Sequence, residues 1–220
     1  MTGFGKNFKD KKKVIKKNIK LSNKKIIHQA FLLHSQGNIG EAEKYYKYCI
    51  EKKINDYRIY SNYGLILQNK GNLNEAEISL RKAIQLNPHR SEAHNNIGTI
   101  QKELGQFNKA EKSLRKAIEL NPNSVNANSN LGNVLRELKN FKEAEIFFIK
   151  AIELDPSSIL GYTNLGNMLK TIGRVKEAKK LLIKTIEINP EFVRPYYSLS
   201  RMEYESSDKK WCDYLFSENK

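Results

Sequence analysis

A skeleton of small residues and prolines returns every 34 residues along most of this chain, and that period constrains the fold more than any local motif. Gly64, Gly98, Gly132 and Gly166 fall at this spacing, as do Ala76, Ala110, Ala144 and Ala178, and Pro88, Pro122, Pro156 and Pro190. A fixed period of about 20 to 50 residues marks a stacked array in which each unit buries its apolar face only against its neighbours. The period therefore predicts a chain of repeats without one globular core around a catalytic pocket.

Each unit divides into two helices. In residues 91–124, Ala93, Ile97, Ile100 and Leu104 are spaced four, three and four apart, which is one face of a helix that Gly105 ends. Phe107, Ala110, Leu114, Ala117, Ile118 and Leu120 form a second such face, stopped by Asn121-Pro122. Proline disfavours helical geometry in the residue before it and cannot continue the hydrogen-bond ladder, so the pair is a physical terminator. Gly98, Ala110 and Ala117 have almost no side chain and let the two helices approach until the large residues beside them interlock.

Period, helix pair and small positions together resemble the tetratricopeptide repeat. That family's pattern is an early aromatic, Leu-Gly, Ala, an aromatic or Leu, Ala, and Pro. Here it reads Tyr60, Tyr63-Gly64, Ala76, Leu80, Ala83 and Pro88, and then His94, Ile97-Gly98, Ala110, Leu114, Ala117 and Pro122. It returns as Asn128, Leu131-Gly132, Ala144, Phe148, Ala151 and Pro156, and as Tyr162, Leu165-Gly166, Ala178, Leu182, Thr185 and Pro190. A degraded copy over 23–56 keeps Ala30, Gly37, Ala42, Tyr46 and Cys49 but has Ile54 in place of proline. Another begins at Val193 with Tyr196 and Leu199-Ser200. The resemblance implies an all-α fold, a right-handed superhelical solenoid of antiparallel helix pairs. The expected organisation is a basic N-terminal tail (1–22), a degenerate capping repeat (23–56), four full repeats (57–192), a capping helix (193–206) and an aromatic C-terminal tail (207–220).

Charge is unevenly placed. The formal net charge is +15, yet residues 1–25 hold ten lysines against one acid, Asp10, which leaves +6 for the remainder. Such a run reads either as a solvated lead-in or as a basic arm for nucleic acid or an anionic membrane, whose attraction falls steeply with salt. Residues 1–22 contain no apolar run of the length a secretory signal or membrane span requires. Cys49 and Cys212 have no CxxC spacing, so the sequence offers neither a disulfide framework nor a zinc site, and a cytoplasmic setting is expected.

Nothing in the sequence assembles into catalysis. His28, His34, His89 and His94 lack any metal-ligand spacing on one helical face. Glu75, Glu77, Glu111, Glu143, Glu145 and Glu177 flank the repeat alanines as solvated edges. No enzyme activity, cofactor, metal or small-molecule substrate is expected.

One residue type does recur with chemical meaning. Asn62, Asn96, Asn130 and Asn164 each stand two residues before the repeat glycine, off the apolar stripe. In tetratricopeptide arrays the first helix lines the concave groove, so the resemblance implies a ladder of amides along it. Each amide can donate to a peptide carbonyl and accept from a peptide N–H, holding extended backbone of any sequence. The alternative is that asparagine here is family consensus and composition, with solvated side chains. On the same face come Asn133 and Asn167, and a turn further Lys102, Arg136 and Lys170. That wall suits an acidic segment of a partner protein. The chaperone-tail clamp of some family members is not predicted, because Asn133, Asn164 and Arg194 match it but Ser129 and Ser198 fill its other positions. A transferase's substrate-recruiting arm is the second expectation by analogy, and the Trp211 to Phe216 cluster reads either as a segment that folds back on the cap or as the place where a further repeat or catalytic domain would join.

Overall fold

The computed structural model describes residues 23–202, and the tails expected at 1–22 and 207–220 lie outside them. The described helices fall into two compact units, the first ending at His89 and the second starting at Arg90.

The first unit holds α1 (Asn23–Ser35), α2 (Ile39–Glu51), α3 (Tyr57–Asn69) and α4 (Leu73–Leu86). Its core is built on Ile26, Ala30, Tyr46, Cys49, Ile59 and Ile66. α1 pairs with α2 and α3 with α4, while α2 also packs on α3. Glu43 on α2, nearly buried, accepts from Lys70 just past α3 and from Lys47 at 3.0 Å. The Lys70 bond, with Lys47 adding to it, holds the Glu43 carboxyl below its usual range.

The second unit holds α5 (Ser91–Glu103), α6 (Phe107–Leu120), α7 (Val125–Glu137), α8 (Phe141–Leu154), α9 (Ile159–Thr171), α10 (Val175–Ile188) and α11 (Val193–Ser200). Here α5 pairs with α6, α7 with α8 and α9 with α10. Each second helix also packs on the next first helix, ending with α10 on α11. The core runs through Leu114, Leu131, Leu135, Phe148, Met168 and Leu182.

The repeat glycines are where each pair closes. A Cβ built on Gly98 would stand 2.6 Å from Leu114 Cγ, and one on Gly132 would stand 2.8 Å from Phe148 Cδ1. No real side chain tolerates such contacts, so glycine is required by the approach of the facing residue.

The prolines act together with the residue before them. Asn87, Asn121, Asp155 and Asn189 leave the helix in extended geometry, and each side-chain oxygen accepts the amide two residues on, at 3.3, 3.2, 3.1 and 3.0 Å respectively. An Asx-Pro pair thus both ends the helix and folds the corner. Ser124 and Ser158 then cap the following helices by accepting from Ala127 and Gly161.

The turn inside each pair needs a left-handed residue. Gly71, Gly105 and Gly173 supply it with φ of 78, 71 and 82°, but the third repeat places Lys139 there at 61°. A side chain in that region costs roughly 1–2 kcal/mol, part of which glycine's freedom in the unfolded chain takes back. Lys139→Gly is expected to raise the unfolding free energy by about 1 kcal/mol, read as a higher urea midpoint.

Candidate functional site

The first helices of the second unit, α5, α7 and α9, stand side by side, α7 contacting both others. Because they repeat with the same register, polar residues at equivalent positions come into line. Lys102 from α5, Asn133, Arg136 and Glu137 from α7, Asn164 from α9 and Phe107 at the start of α6 surround one cleft of about 410 Å³. Lys102, Asn133, Arg136 and Asn164 are half-buried. Arg136 donates to Glu137 at 2.8 Å, while among the described residues Lys102, Asn133 and Asn164 have no hydrogen-bond or ion-pair partner. Two cations against one carboxylate leave the cleft with a net positive charge beside two free amides.

The other expected residues are engaged elsewhere. In the first unit Asn62 Nδ2 donates to Tyr46 Oη at 3.0 Å, and the same hydroxyl lies 3.0 Å from His34 Nδ1. Burial pushes the Tyr46 phenol up, with the Asn62 bond opposing it. Asn130 Nδ2 is shared between Asn95 Oδ1 at 2.9 Å and Thr99 Oγ1 at 3.2 Å. Asn96 faces Asn95 across 3.4 Å, and its own Nδ2 is shielded without a partner among the described residues. Asn167 Oδ1 accepts from Ser198 Oγ at 3.0 Å, and Lys170 Nζ donates to the Ser198 carbonyl at 3.1 Å, tying α9 to α11. The nine residues therefore divide into four that open on one cleft and five whose amides or ammonium meet the protein itself.

Phe107 and Glu137 were missed as cleft walls. Phe107 reads from its spacing as a core residue of the second helix, and it does pack against the core, with its half-exposed ring reaching the cleft. Glu137 could have been found from its place directly after Arg136.

Burial pushes the Cys49 thiol up to about 11, far from thiolate reactivity at neutral pH. Among the described residues no cluster of His, Cys, Asp or Glu could hold a metal, and no helix is long and apolar enough to cross a membrane.

Solved structures of the same architecture exist. MamA superposes with a TM-score of 0.66 at 24% identity, covering 74% of this chain and 95% of MamA. YrrB, a TPR protein with an unusual peptide-binding site, gives 0.68 at 24% identity over 86% of this chain and 97% of its own. PilF of Pseudomonas aeruginosa gives 0.67 at 16% identity, covering 88% and 91%. At such identities the likeness shows the fold, an all-helical tetratricopeptide solenoid. No curated protein sequence matches the chain. Family models for the tetratricopeptide repeat match residues 57–90, 91–124, 125–158 and 161–192, and the chain belongs to that family.

Proposed function

We propose that this chain is a protein-interaction scaffold that captures an extended, acidic segment of a partner protein at the cleft of Lys102, Asn133, Arg136 and Asn164. The observation that carries the reading is the convergence of these four side chains from three consecutive repeats, with Lys102 and both amides unengaged. A lysine and an arginine attract carboxylates, and free amides pair with backbone of any sequence. YrrB, on the same fold, has a peptide-binding site, a parallel for a peptide ligand on such an array. The family's common use as a non-enzymatic scaffold agrees with the reading. Asn62 and Asn130 hold the repeats together in this reading, since their donors already have partners.

The test is selection from a random peptide array, followed by fluorescence anisotropy on the enriched peptides. Wild-type protein is expected to enrich Asp- and Glu-bearing peptides whose affinity falls as salt rises. Lys102→Glu and Arg136→Glu are each expected to weaken binding by about tenfold with helicity unchanged. Enrichment without acidic bias, or indifference to both reversals, would remove the cleft from consideration.

A further inference from the structure

We propose that α8 joins two copies of this chain by packing against itself across a two-fold axis, with Ile146 and Ile149 at the centre of the contact. These side chains are 63% and 42% exposed, on the side of α8 away from its buried Ala144, Phe148 and Ala151. The repeat does not require them, because α6 buries the equivalent Ala110, Leu114 and Ala117 while carrying Lys112 and Arg115 at the two isoleucine positions.

The charges beside the isoleucines name the occupant. Lys142, Glu145, Ile146, Ile149, Lys150 and Glu153 follow one another at steps of three, one, three, one and three, which is a single stripe along the helix. When a helix packs antiparallel against its own copy about a two-fold axis, residues that face each other have numbers of constant sum. An axis midway between Ile146 and Ile149 sets Ile146 of one copy against Ile149 of the other, Glu145 against Lys150, and Lys142 against Glu153. Every contact is then apolar on apolar or charge on opposite charge, and the symmetry makes each of them twice. The neighbouring second helices lack this self-complementarity. In α6 the centre would be Lys112 against Arg115, and in α10 Lys179 would face Lys184.

Within one copy these charges are loosely committed. Lys142 has no hydrogen-bond or ion-pair partner among the described residues, and Lys150 meets Glu153 at 3.4 Å with both side chains exposed. Glu145 accepts from Arg174 through Oε2 at 2.6 Å, and its Oε1 can accept from Lys150 of the other copy. Exposed pairs of this kind contribute little, so exchanging them across the axis costs little. A seam of two isoleucines from each copy is small beside the ~1,200 Å² of a stable interface, which places the association in the weak, concentration-dependent class.

Sedimentation velocity of the full chain from about 1 to about 500 µM is expected to show a monomer passing to a dimer, with a dissociation constant on the order of 10–100 µM. Ile146→Lys combined with Ile149→Arg, the residues α6 already carries, is expected to weaken association at least ~10-fold with helicity unchanged. Lys142→Glu and Glu153→Lys are each expected to weaken it by about tenfold, since each sets like charges together on both sides of the axis. An equimolar mixture of those two variants is expected to associate as the wild type does, because each then meets its complement. A wild-type chain that stays monomeric throughout would overturn the proposal. So would association that survives the isoleucine replacements, or a mixture that fails to recover.

Discussion

Phe148→Ala is expected to lower the unfolding free energy of the second unit by about 3–5 kcal/mol, the range for removing a buried aromatic side chain. Phe148 is fully buried, and its ring occupies the space that the absence of a Cβ on Gly132 leaves. Truncation removes the dispersion contacts of the ring and leaves a cavity that rigid helices close only in part. The pair α7 and α8 is joined to the rest through α6 and α9, so weakening it breaks the unit in the middle. In a nearest-neighbour stack this reduces cooperativity as well as stability. Urea unfolding followed by circular dichroism is expected to show both a lower midpoint and a shallower transition. An unchanged slope would mean that the unit unfolds all at once whatever its internal weak point.

A loss of similar size is expected in the first unit for Tyr46→Ala, again about 3–5 kcal/mol, while Tyr46→Phe is expected to cost about 1–3 kcal/mol. The ring fills the centre of that core, and the hydroxyl joins three helices through His34 on α1 and Asn62 on α3. The phenylalanine variant keeps the volume and deprives two half-buried polar groups of their partner at once. Its cost therefore measures the polar junction separately from the packing. Equal stability of Tyr46→Phe and wild type would show that both groups find water instead.

Much of this architecture was legible because the repeat determines it locally. Gly98 and Leu114 meet inside one unit, and Asn121 with Pro122 makes its own corner, so reading one stretch is reading its copies. The capping helix expected over 193–206 has α11 (Val193–Ser200) as its described part, and residues 203–206 lie outside the description. What periodicity leaves open are contacts made by non-equivalent residues. The donors of Asn62 and Asn130 look alike in sequence, yet one meets a tyrosine from the preceding repeat and the other an asparagine and a threonine. None of these three partners recurs every 34 residues. Lys139 escapes for the opposite reason, because the repeat imposes a backbone conformation that the residue itself does not favour.

The Asx-Pro corners carry a consequence for how such a chain can change length. Each corner is built from its own side chain and backbone, with the same local hydrogen bond to the Asx oxygen each time. A whole 34-residue module can therefore be duplicated or deleted at a corner with both cut surfaces still matching. One residue gained inside a helix turns every later side chain by about 100°, carrying the glycine away from the residue it faces. The spacing is thus a unit of chain length as much as of packing, kept across the four full repeats although many of their other side chains differ.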